Sequence, residues 1–247
     1  MTANESGTEP PAHDLEAAGS WREIAVARSV QPARMRAEQQ IQRFLDAALE
    51  LVNGEAGKDF TVQEVVKRSG QSLRSFYQYF NGKHELLLAL FEESVRTTAD
   101  RLRERVAGEP DGLSRLRRFT LEYHRLSRPL PGDTSEHRST ILGMAEFAQR
   151  LLTEHPREAA RAFSPLYSLM KEMLDEAAAE GALRTGLDHR TVAGSMLQAI
   201  AFNAFAVTIS GARVRSDDHD AEVLWELFAH GLARRLPAGD EGVGSDA

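Results

Sequence analysis

The chain of 247 residues has no cysteine. That excludes a disulfide framework, thiolate metal centres and a cysteine nucleophile, and it suits a reducing compartment. No apolar run approaches the roughly eighteen residues that a membrane-spanning helix needs, and the N-terminus, MTANESGTEP, is polar with no leader-like apolar stretch. A soluble, cytoplasmic protein with no membrane partner is expected. Catalytic fingerprints are missing too: there is no G-x-S-x-G elbow, P-loop or dinucleotide motif. His124, His137, His155, His189, His219 and His230 show no ligand spacing, and Asp217, Asp218, His219 and Asp220 read as a solvated helix start. No enzyme, no cofactor and no metal is expected. Cations are outnumbered, 30 Lys and Arg against 37 Asp and Glu, for a net charge of −7. Indiscriminate binding of nucleic acid is therefore excluded, and any DNA affinity must come from cations placed locally. Strand-like alternation is absent, so the expected class is all-α.

What is present is helical periodicity with one sharp interruption. Thr61 to Glu85 reads TVQEVVKRSGQSLRSFYQYFNGKHE. Thr61 and Glu64 make a capping box, and Val62, Val65 and Val66 recur on one face behind them. Gly70 supplies the positive φ of a tight turn, and Ser72 caps a second helix, Leu73 to Phe80. The spacing turns Leu73, Phe76 and Phe80 inward and leaves Arg74, Ser75, Tyr77, Gln78 and Tyr79 toward solvent. Such a face suits a DNA groove, because Arg and Gln bond base edges while hydroxyls reach phosphates. A helical hairpin with a merely solvated face is the alternative.

The run G-Q-S-L-R-S-F-Y-Q-Y-F followed by G-K-H-E-L-L resembles the recognition helix and next helix of TetR-type transcriptional repressors, whose pattern is G-V-S-x-x-T-L-Y-x-H-F, then K-x-x-L. Gly70, Ser72, Tyr77, Phe80, Lys83 and Leu86 match it, while Gln71, Ser75, Phe76 and Tyr79 depart mildly. The match spans residues 41–91. The resemblance implies an N-terminal three-helix helix-turn-helix domain, residues 34–82, joined to a larger helical effector-binding and dimerisation domain, residues 83–236. A mostly disordered extension at 1–33 and a disordered tail at 237–247 flank them. It implies that Thr61 and Gln63 approach the DNA backbone or groove edge. Ser72, Leu73, Arg74 and Ser75 would sit at the DNA-facing end of the helix, Arg74 reading a base, with Tyr77, Tyr79 and Lys83 on phosphates. From Arg34 to Leu86 there are eight Lys and Arg against seven Asp and Glu, so this reader is barely basic.

Ahead of it, Ser20 to Val30 suits a short helix that Pro32 ends, and Arg28, Arg34, Arg36 and Arg43 against Glu38 form a basic approach to DNA or a solvated helix start. Glu38 to Asn53 carries the stripe Ile41, Phe44, Leu45, Ala48, Leu49 and Val52, with Gly54 as its C-cap. Lys83 to Val106 follows as one long helix. Asp111 caps a helix to about Arg128. Further helices cover 135–153, a run broken near Pro165, 189–209 and 218–236.

Two groups of residues suggest sites in this body. Met144, Phe147, Leu151, Phe163, Met170 and Leu174, with Phe202 and Phe205, could line a cavity for a small apolar effector, oriented by Tyr167, His124 or Asn203; ordinary core is the alternative. On the last two helices Met196, Ala199 and Ala204 face close neighbours, and Val223, Leu224, Leu227, Phe228 and Leu232 form a near-heptad stripe. Those helices either pair with a second copy, as the resembled family dimerises, or bury within the monomer. The expected function is a ligand-responsive regulator, a repressor, that binds a near-palindromic double-stranded DNA operator as a homodimer. A helical carrier of small molecules without DNA binding is the second reading.

Overall fold

The computed structural model describes residues 21–53, 60–129, 133–209 and 218–233. They form ten helices and no strand; the only pairing among them is a single antiparallel bridge between Leu183 and Ala233. No helix among the described residues is long and apolar enough to cross a membrane.

The first three helices make the small N-terminal unit: α1 Trp21–Asn53, α2 Val62–Ser69 and α3 Leu73–Tyr79. The α2 start holds the expected capping box, with Thr61 Oγ1 accepting from Glu64 N and the Glu64 carboxylate accepting from Thr61 N at 2.7 Å. Gly70 ends α2 at φ 66°, a left-handed conformation that costs a side-chain-bearing residue about 1 kcal/mol. Ser72 Oγ then caps α3 by accepting from Ser75 N at 3.0 Å. The unit closes on three rings. Phe44 of α1 meets Phe76 at 5.4 Å and Phe80 at 6.1 Å, both edge to face, and Phe44 and Phe76 are fully buried. Edge-to-face pairs add about 0.5–1.5 kcal/mol each beyond area burial, so this cluster sets the crossing of α3 over α1.

Two expectations for this unit need correction. Pro32 does not end a helix: α1 runs through it for 33 residues, from Trp21. Residues 28–36 are all exposed, so water can take the carbonyl that the proline leaves without its N–H partner. Leu73 does not pack inward either, being 43% exposed, because the first turn of α3 overhangs the three-ring cluster. Residues 1–20, Gly54 and the tail at 237–247 lie outside the described residues.

The body comprises α4 Lys83–Val106, α5 Gly112–Leu126, α6 Ser135–Glu154, α7 Pro156–Ala162, α8 Ser164–Ala179, α9 His189–Ile209 and α10 His219–Leu232. Leu86, Leu90, Phe91, Val95 and Leu102 of α4 are buried in one continuous core with α5 and α8. The run breaks near Pro165, as expected: Phe163 stands between α7 and α8, and Pro165 sits in the first turn of α8, where a missing N–H costs no helical hydrogen bond. Gly112 lets α5 touch α8 closely: a Cβ there would stand 2.6 Å from Ala177 Cα, and its N–H donates to Glu180 Oε2 at 2.8 Å. Asp218 is no freely solvated helix start, since it pairs with Arg125 at 2.6 Å and ties α10 to α5.

Among the described residues α1 packs on both α4 and α6, and two polar contacts mark where the small unit meets the body. The α4 start is continuous with the α3 exit, where Glu85 accepts from Asn81 N and Nδ2 at 2.8 and 2.7 Å. Those hydrogen bonds hold the Glu85 carboxyl below its ordinary range. At the far end of α1, Asn53 accepts a hydrogen bond from Thr140 of α6, and Val52 Cγ1 stands 3.0 Å from where a Cβ on Gly143 would be.

Candidate nucleic-acid interface and ligand cavity

The outer face of α3 is the polar one. Ser72, Leu73, Arg74, Tyr77 and Gln78 are exposed, and Ser75 is partly so. Buried Phe76 braces this face from behind and meets the Tyr77 ring edge to face at 5.4 Å. Tyr77 itself is 56% exposed, so its hydroxyl stands free of the core at the end of a supported ring. Thr61 and Gln63 are exposed at the start of α2, the former hydroxyl already engaged with Glu64. Lys83 lies with Nζ 4.2 Å from the centre of the Phe60 ring, which fixes its stem while the ammonium stays partly accessible.

Tyr79 differs from its expected placement toward solvent. It is half-buried, and its hydroxyl donates to Gln40 Oε1 at 2.6 Å. Its one proton is committed to holding α3 against α1, so a phosphate would have to displace that bond. Periodicity alone could not show this, because Gln40 lies 39 residues away. Among neighbouring cations, Arg68 pairs with Glu50 at 3.2 Å and Arg34 with Glu38 at 2.8 Å, while Arg74 stands exposed on α3. The arrangement offers an arginine and three amide or hydroxyl side chains, Ser75, Tyr77 and Gln78, on a helix narrow enough for a major groove.

The body carries an open-sided cavity of about 970 Å³ between α5, α6, α7, α8 and α9. Ala145, Ala148 and Leu152 of α6, Ala159 and Phe163 at α7, and Ala201 and Phe205 of α9 give it an apolar wall. Gln149, Tyr167, Arg190, Thr191, Ser195 and Gln198 contribute the polar groups. Tyr167 donates its hydroxyl proton to the Arg190 carbonyl at 2.9 Å, which closes one side. Tyr123, also in the wall, is pushed up to about 12 by burial and stays a neutral donor.

Of the residues singled out for a ligand, Phe163, Tyr167, Phe202 and Phe205 line this cavity. The others sit elsewhere. Leu151, Met170 and Leu174 are closed in the core, Phe147 packs on Phe91 at 5.8 Å, and Met144 is half-buried against the core. His124 and Asn203 pair with each other, Nε2 to Oδ1 at 3.0 Å, and His124 Nδ1 is buried with no hydrogen-bond partner. Burial holds the His124 pKa below 6.5, against the smaller upward effect of Asn203. The cavity wall that sequence reasoning missed is made of small residues. Gly194 and Ala201 on α9 leave space in that wall.

The residues proposed for a dimer face divide. Met196, Ala204 and Leu232 are buried within the chain, and Ala199, Leu224 and Phe228 are half-buried. Val223 at 55% and Leu227 at 68% are exposed on α10, and Phe202, at 66% on α9, is exposed at the open side of the cavity.

Comparisons with known proteins agree with this layout. The family model described as bacterial regulatory proteins, tetR family, matches residues 44–90. An uncharacterised HTH-type transcriptional regulator of Bacillus subtilis, YvdT, is 22% identical over 160 residues, 64% of this chain and 77% of the relative. The fatty acid metabolism regulator protein of the same organism is 24% identical over 148 residues, 60% of this chain and 73% of the relative. The structure of the transcriptional regulator FadR from B. subtilis, solved with stearoyl-CoA, superposes with a TM-score of 0.60 at 18% identity, covering 77% of this chain and 98% of that one.

Proposed function

Because the chain is a TetR-type transcriptional regulator, we propose that it is a cytoplasmic repressor that binds a near-palindromic operator as a homodimer and leaves it when an elongated apolar effector fills the body cavity. The reader comprises residues 34–82 and the body 83–236. The observation that carries the reading is the exposed Arg74, Tyr77 and Gln78 face of α3, braced by fully buried Phe76. Arg74 reads a base. Ser72, Leu73 and Ser75 approach the groove floor. Thr61, Gln63, Tyr77 and Lys83 meet the backbone, and Tyr79 braces the helix through Gln40.

The effector class follows from the cavity. A volume of about 970 Å³ is near the top of the range for small-molecule sites, about 300–1,000 Å³, and its wall is apolar around a few polar groups. An alkyl chain suits the alanine and phenylalanine wall, and Arg190 can receive an anionic head. The relative solved with stearoyl-CoA supports a long-chain acyl thioester as the first class to test. An effector that prefers one separation of the two readers lowers the population that fits DNA.

The test is fluorescence anisotropy on duplexes tiled across the chain's own upstream region at two salt concentrations. Selective, salt-dependent binding is expected. Arg74→Ala should lose about 1–3 kcal/mol and relax one base position per half-site. Addition of acyl thioesters of increasing chain length should release the duplex. Folded dimer that selects no duplex, or tight acyl binding that leaves DNA affinity unchanged, refutes the corresponding half of the proposal.

A further inference from the structure

Three metal-ligating side chains meet where α4 leaves the reader. His84 belongs to the first turn of α4, His155 caps the N-terminus of α7, and Glu158 stands in the first turn of α7. His84 Nε2 is 2.7 Å from Glu158 Oε2, and the two imidazole rings are 4.4 Å apart, tilted by 39°. One ligand atom from each of the three lies within 4.8 Å of the others. The His84 and Glu158 side chains are 42% and 37% exposed, so an ion and its waters can reach them.

We infer that His84, His155 and Glu158 form a binding site for a divalent first-row transition ion, zinc in the first place, which staples α4 to α7. The donor set is two imidazoles and one carboxylate. It suits zinc, cobalt or nickel, whereas magnesium and calcium require oxygen shells and copper(I) favours the sulfur donors of Cys and Met. Bonds of about 2.0–2.1 Å place tetrahedral ligand atoms about 3.3 Å apart. The closest pair must open by about half an ångström and the widest close by about 1.5 Å or less, which rotations of partly exposed side chains can supply. A fourth position remains for water or an exogenous ligand.

The position matters more than the ligand count. α7 faces the cavity through Pro156, Ala159 and Ala160 on one side and presents His155 and Glu158 to α4 on the other. His84 is next to Glu85, the residue that caps the reader's exit at Asn81. An ion here fixes the cavity wall to the helix that carries the reader.

The experiment uses untagged, chelator-treated full-length protein titrated calorimetrically with Zn²⁺ and, as a spectroscopic probe, with Co²⁺. One ion per chain is expected, with visible absorption from low-symmetry Co²⁺ and a raised Tm. Changing residues that only support metal ligands costs about 10–100-fold in affinity, so the His84→Ala, His155→Ala double variant should lose more than about 100-fold. Glu158→Gln, nearly isosteric, should weaken binding and alter the Co²⁺ spectrum while far-UV circular dichroism stays unchanged. Absence of stoichiometric binding by folded wild-type protein overturns the site, leaving a metal-free hydrogen bond between His84 and Glu158. Equal affinity in the folded double variant overturns it as well. The readout is metal occupancy, so its outcome is independent of whether the DNA-binding reading holds.

Discussion

Replacing Leu227 with arginine should separate the proposed dimer without unfolding the chain. Leu227 is 68% exposed on α10, beside Val223 at 55%, and Phe202 at 66% is exposed on α9. Full burial of a leucine side chain is worth about 1.5–3 kcal/mol, so covering the exposed two-thirds gives about 1–2 kcal/mol per copy. A twofold interface counts the residue twice, for about 2–4 kcal/mol. Arginine forfeits that gain and carries a charge into the contact, so the dimer dissociation constant should rise at least about 30- to 1,000-fold. Sedimentation equilibrium measures it directly, with circular dichroism to confirm an intact helical fold. Met35→Arg is the control, because Met35 is 50% exposed on α1, away from this face. An L227R protein that dimerises as tightly as wild type, or a Met35→Arg protein that dissociates equally, would remove α10 from the interface. Operator affinity should follow dimerisation, since a monomer reads one half-site.

Gly112→Ala should destabilise the body by about 1–3 kcal/mol, read as a lower urea midpoint with an unchanged slope, because the added Cβ meets Ala177 backbone at 2.6 Å. A neutral result would mean that α5 and α8 can separate freely. His124 has a native pKa depressed from 6.5 by burial, so the unfolded chain binds its proton first as pH falls. Stability from this group is complete above pH 6.5 and declines below it, with a slope of at most about 1.4 kcal/mol per pH unit. The His124→Gln variant should flatten the profile by that amount, and an identical profile in both proteins would show that His124 titrates normally.

The reader was readable from the chain because its determinants are local. Thr61 with Glu64, Gly70, and Ser72 with Ser75 act over three or four residues, and the structure makes each of those hydrogen bonds or turns. Errors began where a distant partner decides. Leu73 shares the period of Phe76 yet is 43% exposed, and Tyr79, which that period left toward solvent, is claimed by Gln40. In the body the period identified apolar residues correctly but could not separate those facing each other from those facing a void. Met170 and Phe163 look alike in sequence, and only the second reaches the cavity. The His84 and Glu158 pair spans 74 positions, so no spacing rule could reveal it.

The same geometry limits how a filled cavity can reach DNA. The body reaches the small unit where α6 meets Val52 and Asn53 at the end of α1, and through α4, which packs on α1 and runs on from α3. Both α6 and α7 supply cavity wall, but they act on the reader differently. α6 carries Gln149 and Leu152 in the wall and, further toward its start, Gly143 against the last turn of α1. Motion of α6 therefore pushes the end of α1, more than two turns beyond the ring of Phe44 that seats α3, and it also touches α4 through the Phe147 ring, which meets Phe91 and His84. α7 holds the first turn of α4 directly, by the hydrogen bond between His84 and Glu158, one residue before Glu85 and its grip on Asn81. A displacement there is delivered at the exit of α3 itself. Packed helices shift as rigid bodies between discrete arrangements, so the shorter lever at α7 should re-aim α3 with the smaller movement. It follows that substitutions at Pro156 or Ala160, which touch the cavity but neither DNA nor the α9 and α10 face, should alter effector response more than effector-free operator affinity. Dose-response curves for operator release in Ala160→Leu and wild type test this, and equal curves with equal effector affinity would place the coupling on α6.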